Sequence, residues 1–156
     1  MIKRSVDTIV HGGRVVLSSG VVDASVAIKN GIIVAIEALD ILPTAERYID
    51  ASGKHVLPGA IDCHIHVESD KCDDWTNAPL AAAHSGITSL VAFVIYDDNN
   101  GETLPHALDR IREEAESSSV LDFAFHFILH NQPYILEGIP QTFEMGVTSY
   151  KMFMTY

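Results

Sequence analysis

The chain has 156 residues, a net charge of −11, 47% apolar residues and 20% charged ones. That length bounds it to one ordinary domain or two small ones, with enough apolar chain to bury a core. The acidic balance excludes a phosphate-backbone binder, which needs clustered Lys and Arg, so no nucleic-acid partner is expected. The longest apolar run, Leu90 to Tyr96, is far too short to span a membrane. The N-terminal stretch MIKRSVDTIVHGG lacks a signal-peptide pattern. Cys63 and Cys72 do not make a disulfide framework, so the expected location is the cytoplasm.

Residues 1–55 read as strands and turns. Val6 to Val10 is followed by a turn at Gly12-Gly13. Val15 to Leu17 precedes a second turn at Ser18-Ser19-Gly20. Val21 to Ile28 is β-rich, Asn30-Gly31 is a hairpin signal, and Ile32 to Ile36 returns. The expectation is a small antiparallel β unit.

Residues 56–156 change pattern. Short apolar runs at Ile61 to His66, Leu90 to Tyr96, Phe123 to Leu129 and Tyr150 to Tyr156 start 27 to 33 residues apart. That is the length of a βαβ unit, and such runs suit a parallel sheet covered by helices. One predicted helix follows Thr76 and ends at Gly86. A second is capped by Thr103 and lines up Leu104, Ala107, Leu108, Ile111 and Ala115 on one face. Arg110–Glu114 and Arg112–Glu116 are expected charge pairs on its outer side. A third is predicted from about Pro140 to Gly146.

Two segments carry candidate chemistry. In PGAIDCHIH, strand alternation puts Asp62, His64 and His66 on one face and Ile61, Cys63 and Ile65 on the other. Two imidazoles one strand pitch apart can reach a single zinc ion, and a carboxylate can orient a ligand imidazole. The competing reading is two histidines bonded to their neighbours. In GVTSYKMFMTY, Lys151 sits inside an apolar strand, where an ammonium must pair, lose its proton or be modified. A neutral amine can add carbon dioxide to give a carbamate. From spacing alone, a lysine that snorkels to the strand end, or pairs with Asp62 or Asp97, is the better reading. His126 and His130 share a strand face and read as interior or loop residues. His11, His55, His84 and His106 read as surface residues, and Asp97-Asp98-Asn99-Asn100 as a polar βα loop.

The runs PGAIDCHIHVE, DDW at Asp73 to Trp75, and GVTSYKMFMTY together resemble the cyclic amidohydrolases, most closely the dihydropyrimidinase and hydantoinase branch. The resemblance covers essentially the whole chain. It implies an α/β fold: the first half of a (β/α)8 TIM barrel, about four βα units, preceded by part of a small β-sandwich. It implies a hydrolase acting on the C–N bond of a hydantoin or dihydropyrimidine ring. His64 and His66 would bind the first of two divalent ions, most plausibly zinc. Lys151, carboxylated by carbon dioxide, would bridge both, with Asp62 behind the ligands. A metal-bridging hydroxide would attack the ring carbonyl, and Tyr156 would hydrogen-bond it and its oxyanion. The general-base aspartate of the family and two further histidines are expected beyond residue 156. No catalytic residue is therefore assigned within the chain, which is expected to be an inactive N-terminal fragment of a homo-oligomer, a tetramer by resemblance. The stretch between His66 and Trp75 is shorter than the family's usual substrate-facing loop and lacks its glycine-rich portion. Alternatives are an allantoinase or dihydroorotase, a non-catalytic scaffold relative, and a free-standing four-stranded binding domain.

Overall fold

The computed structural model describes residues 5–67, 73–130 and 135–154. The chain divides into two compact units, Met1–Pro58 and Gly59–Tyr156.

Among the described residues the first unit holds seven strands. They are β1 (Val6–His11), β2 (Arg14–Leu17), β3 (Gly20–Asp23), β4 (Ser25–Lys29), β5 (Ile32–Glu37), β6 (Ala45–Asp50) and β7 (His55–Val56). One sheet runs in the order β5-β4-β1-β6 and the other in the order β3-β2-β7. The Asn30-Gly31 turn joins β4 to β5 as an antiparallel hairpin. Asn30 takes the left-handed φ of 51° that such a turn needs, and its N–H donates to the Asp7 carboxylate. Val6, Ile9 and Ala27 form the core of the larger sheet. The expected all-antiparallel unit is corrected here. β6 runs parallel to β1, and β7 runs parallel to β2. The sequence AERYID hides β6 because five of its six residues are exposed, so it lacks a half-buried alternation. Its backbone ladder to β1, from Val6↔Ala45 to His11↔Asp50, makes it a strand.

The second unit alternates strand and helix: β8 (Ala60–Ile65), α1 (Asn77–His84), β9 (Ile87–Val94), α2 (Leu104–Ser118), β10 (Asp122–Leu129), α3 (Ile135–Glu144) and β11 (Tyr150–Met152). The sheet order is β11-β10-β9-β8, and every pair is parallel. Consecutive parallel strands that are spatial neighbours, each followed by a helix, are the arrangement of the first half of a (β/α)8 barrel. Gly59 opens this sheet. A Cβ there would meet the Thr88 side chain at 2.1 Å, so only glycine lets β8 come so close to β9.

One face of the sheet packs on the helices. Ile65, Ala92, Val94, Phe125, Phe127 and Leu129 meet Leu104, Ala107, Leu108, Ile111 and Ala115 of α2 in a single core. This is the helix face expected from the sequence. Thr103 caps α2, accepting from the His106 N–H at 3.4 Å. The Asp74 carboxylate accepts from the Thr76 and Asn77 N–H groups at 2.8 and 2.7 Å before α1. Those bonds hold its acidity stronger than an ordinary aspartate's.

Two helix details depart from expectation. α3 begins at Ile135, and Pro140 lies inside it rather than at its start. The earlier turn is favoured because it buries Ile135 and brings Gly138 against Leu104 of α2. Arg110 turns to Glu102 (Nε to Oε1, 3.0 Å) and to the Ile95 carbonyl (3.2 Å), while Arg112 donates to the Met145 carbonyl at 2.9 Å. Each arginine thereby ties its helix to a loop, which a pair within the helix cannot do. Among the described residues no helix is long and apolar enough to cross a membrane.

Candidate metal centre

The inward face of the sheet carries the candidate ligands. β8 leaves regular register with β9 between Asp62 and Ile65. The Asp62 carboxylate fills the gap by accepting the His64 backbone N–H at 3.0 Å. A bulge of this kind re-aims a side chain, and strand irregularities of this type gather at active sites. The clean alternation read from the sequence therefore holds for Ile65, which packs on the helix side, but not for Ile61 and Cys63, which are exposed. The His64 and His66 rings end 5.9 Å apart, centroid to centroid.

Phe93 of β9 stands beside both. Its ring lies 4.7 Å from the His64 ring, edge-on, and 5.1 Å from the His66 ring, stacked. Lys151 of β11 reaches the same ring, with Nζ 4.6 Å from the Phe93 centroid and 4.7 Å from that of Phe153. The half-buried ammonium thus rests on aromatic faces, which attract a cation. His126 of β10 is opposite Phe93 in register, with the rings 5.3 Å apart. Its Nδ1 is hydrogen-bonded to the Ser149 hydroxyl. His64, Phe93, His126, Ser149, Tyr150 and Lys151 line one cavity of about 270 Å3.

Tyr150 faces the other way. Its hydroxyl meets Thr142 Oγ1 at 2.9 Å and the Val147 and Ile139 carbonyls at 3.1 and 3.2 Å. This pins β11 to α3 and fixes the strand that carries Lys151. His130 lies against Tyr96, with the rings 5.0 Å apart, and its N–H donates to the Tyr96 hydroxyl at 2.8 Å. Asp97 closes the polar loop after β9 by accepting from the Asn99 N–H at 3.2 Å. Tyr156 and residues 68–72, Cys72 among them, lie outside the described residues. Among the described residues no three His, Cys, Asp or Glu side chains form a metal cage. The converging set is instead two imidazoles and a lysine. Sequence reasoning missed Phe93, whose apolar run looks the same on both faces; only the register with His126 singles it out.

Known proteins match along nearly the whole chain. A D-hydantoinase of Streptomyces coelicolor is 36% identical over 159 residues, covering 96% of this chain. A solved D-hydantoinase structure superposes with a TM-score of 0.85 at 34% identity, again over 96% of this chain. The chain belongs to the hydantoinase and dihydropyrimidinase family. Within that family, the structure of dihydropyrimidinase from Brevibacillus agri matches with a TM-score of 0.84 at 33% identity, covering 96% of this chain and 33% of that one. The chain spans about a third of the length of the curated relatives it matches. No family model matches it. The half-barrel read from the sequence agrees with these superpositions.

Proposed function

We propose that the full-length protein hydrolyses a ring C–N bond of a small cyclic amide of the hydantoin or dihydropyrimidine type. The observation that carries this reading is the gathering of His64, His66 and Lys151 around one ring, on the inward face of a hydantoinase-like half-barrel. His64 and His66 offer imidazole nitrogen to a divalent ion, and imidazole suits zinc. A pair of such ions supplies acidified water and carbonyl polarisation when bound. Lys151 as an amine is a poor bridge between two cations. As its carbamate, formed with carbon dioxide, it offers two anionic oxygens and fits them. Asp62 holds the His64 backbone in the bulge and so sets where that ring begins. Tyr156 is assigned to donate a hydrogen bond to the ring carbonyl as negative charge gathers on its oxygen. In the overall reaction, water adds its OH to the carbonyl carbon, the C–N bond breaks, and the nitrogen takes the proton. A hydantoin then gives an N-carbamoyl amino acid. The reading extends to a cytoplasmic homo-oligomer.

The test is ring opening of hydantoin, dihydrouracil, allantoin and dihydroorotate by the full-length protein loaded with zinc. Turnover of either of the first two is expected. Lys151→Ala and His64→Asn should each lower it by more than the roughly 10–100-fold that losing an outer partner of a metal ligand costs. Turnover confined to allantoin or dihydroorotate would move the protein to another branch. A zinc-loaded, folded protein inert toward all four contradicts the proposal.

A further inference from the structure

His64 and Lys151 sit on the two edge strands of a four-stranded sheet, β8 and β11, and His66 directly follows β8. Neighbouring strands lie about 4.8 Å apart, so a flat sheet would separate these edges by roughly 14 Å. Two intervening strands must therefore supply something that spans the gap. The inward residues between them are Phe93 on β9 and, on β10, its register partner His126 and Ile128, the register partner of Lys151. Phe93 touches ligand candidates on both sides: His64 at 4.7 Å, His66 at 5.1 Å and Lys151 Nζ at 4.6 Å. It is buried, so it cannot swing away into solvent. Behind it, the His126–Ser149 hydrogen bond joins β10 to the residue two before Lys151.

We propose that Phe93 is the positioning residue of this centre. Its ring is a rigid spacer that sets the distance between the histidines at the end of β8 and the β11 lysine. Only a flat ring offers one edge and two faces at once, so three neighbours can be placed by one side chain. An aliphatic residue of similar volume fills the space without fixing those directions. A shift of about 1 Å in a ligand is enough to lose binding or rate. This inference rests on the metal-binding reading of His64, His66 and Lys151, and the test separates the two.

Cobalt(II) is the probe, titrated into the metal-free full-length protein and read by its visible d–d absorption. Melting by circular dichroism is followed in parallel. Phe93→Leu should weaken cobalt binding by roughly tenfold or more and shift the d–d band, while the protein stays folded. Phe93→Tyr, which keeps the ring, should restore both affinity and band. If Phe93→Leu does not fold, Phe93→Met takes its place, with the same loss expected. Binding and spectrum in the folded Leu or Met variant equal to those of the unchanged protein would overturn the role of Phe93 and leave the metal reading standing. An unchanged protein that takes up no cobalt overturns both.

Discussion

Glu102 shows how a single residue can be fixed by its surroundings. Its side chain is only 10% exposed, and it accepts from Arg110 Nε at 3.0 Å and from the Asp97 N–H at 2.8 Å. Burial pushes its carboxyl up, but the bonds from Arg110 and the Asp97 N–H outweigh that and hold it below the ordinary 4.5. A carboxylate with a lowered folded pKa stabilises the fold fully above its unfolded value. The contribution fades as pH falls from about 4.5 through the folded pKa. Thermal melts across that range should show Glu102→Gln losing less stability on acidification than the unchanged protein. At neutral pH the variant should be about 1–2 kcal/mol less stable. Equal acid sensitivity would remove Glu102 from the explanation. At the candidate metal centre, His64, His66 and Lys151 stand out in the sequence because polar groups in apolar strands are conspicuous. Phe93 was invisible for the opposite reason: an apolar residue in an apolar strand announces nothing until register shows its neighbours.

The elements were legible wherever their signal was local. The Thr103 cap and the apolar stripe of α2 appear where the sequence placed them. β6 and the stretch of α3 before Pro140 were not legible, because one depends on a ladder to β1 and the other on packing against α2. The same dependence makes two substitutions informative. Gly59→Ala drives a methyl into Thr88 and should cost about 1–3 kcal/mol, read by denaturant unfolding. Combining it with Thr88→Ala should recover part of the loss, since the clash is with that side chain. Tyr150→Phe removes a hydroxyl shared among Thr142, Val147 and Ile139 and should cost about 1–2 kcal/mol. It should also raise hydrogen exchange in β11. Normal exchange there would show that the strand is held by its ladder to β10 alone.

At the scale of the whole molecule, the second unit is a sheet with two edges. β8 exposes 64% of Ile61, and β11 exposes 66% of Met152, followed by Met154 at 92%. Apolar edges of this kind are templates for pairing. The 156-residue polypeptide on its own should therefore associate as its concentration rises, a trend measurable by light scattering after size exclusion. A strictly monomeric solution up to high concentration would mean that these edges are covered. Parallel βα order was readable from run spacing alone, and the helix-facing side of the sheet followed from alternation. The mixed sheets of the first unit were not readable, since β6 is exposed along five of its six residues and β7 is only two residues long.

The proposed chemistry turns on whether His64, His66 and Lys151 hold metal. The direct measurement is anomalous diffraction at the zinc edge from crystals of the full-length protein grown with zinc and bicarbonate. Anomalous peaks are expected beside His64, His66 and Lys151, with Lys151 carrying the extra density of a carbamate. Zinc bound elsewhere, with Lys151 still a free amine resting on Phe93, would contradict the metal centre and the hydrolytic function built on it.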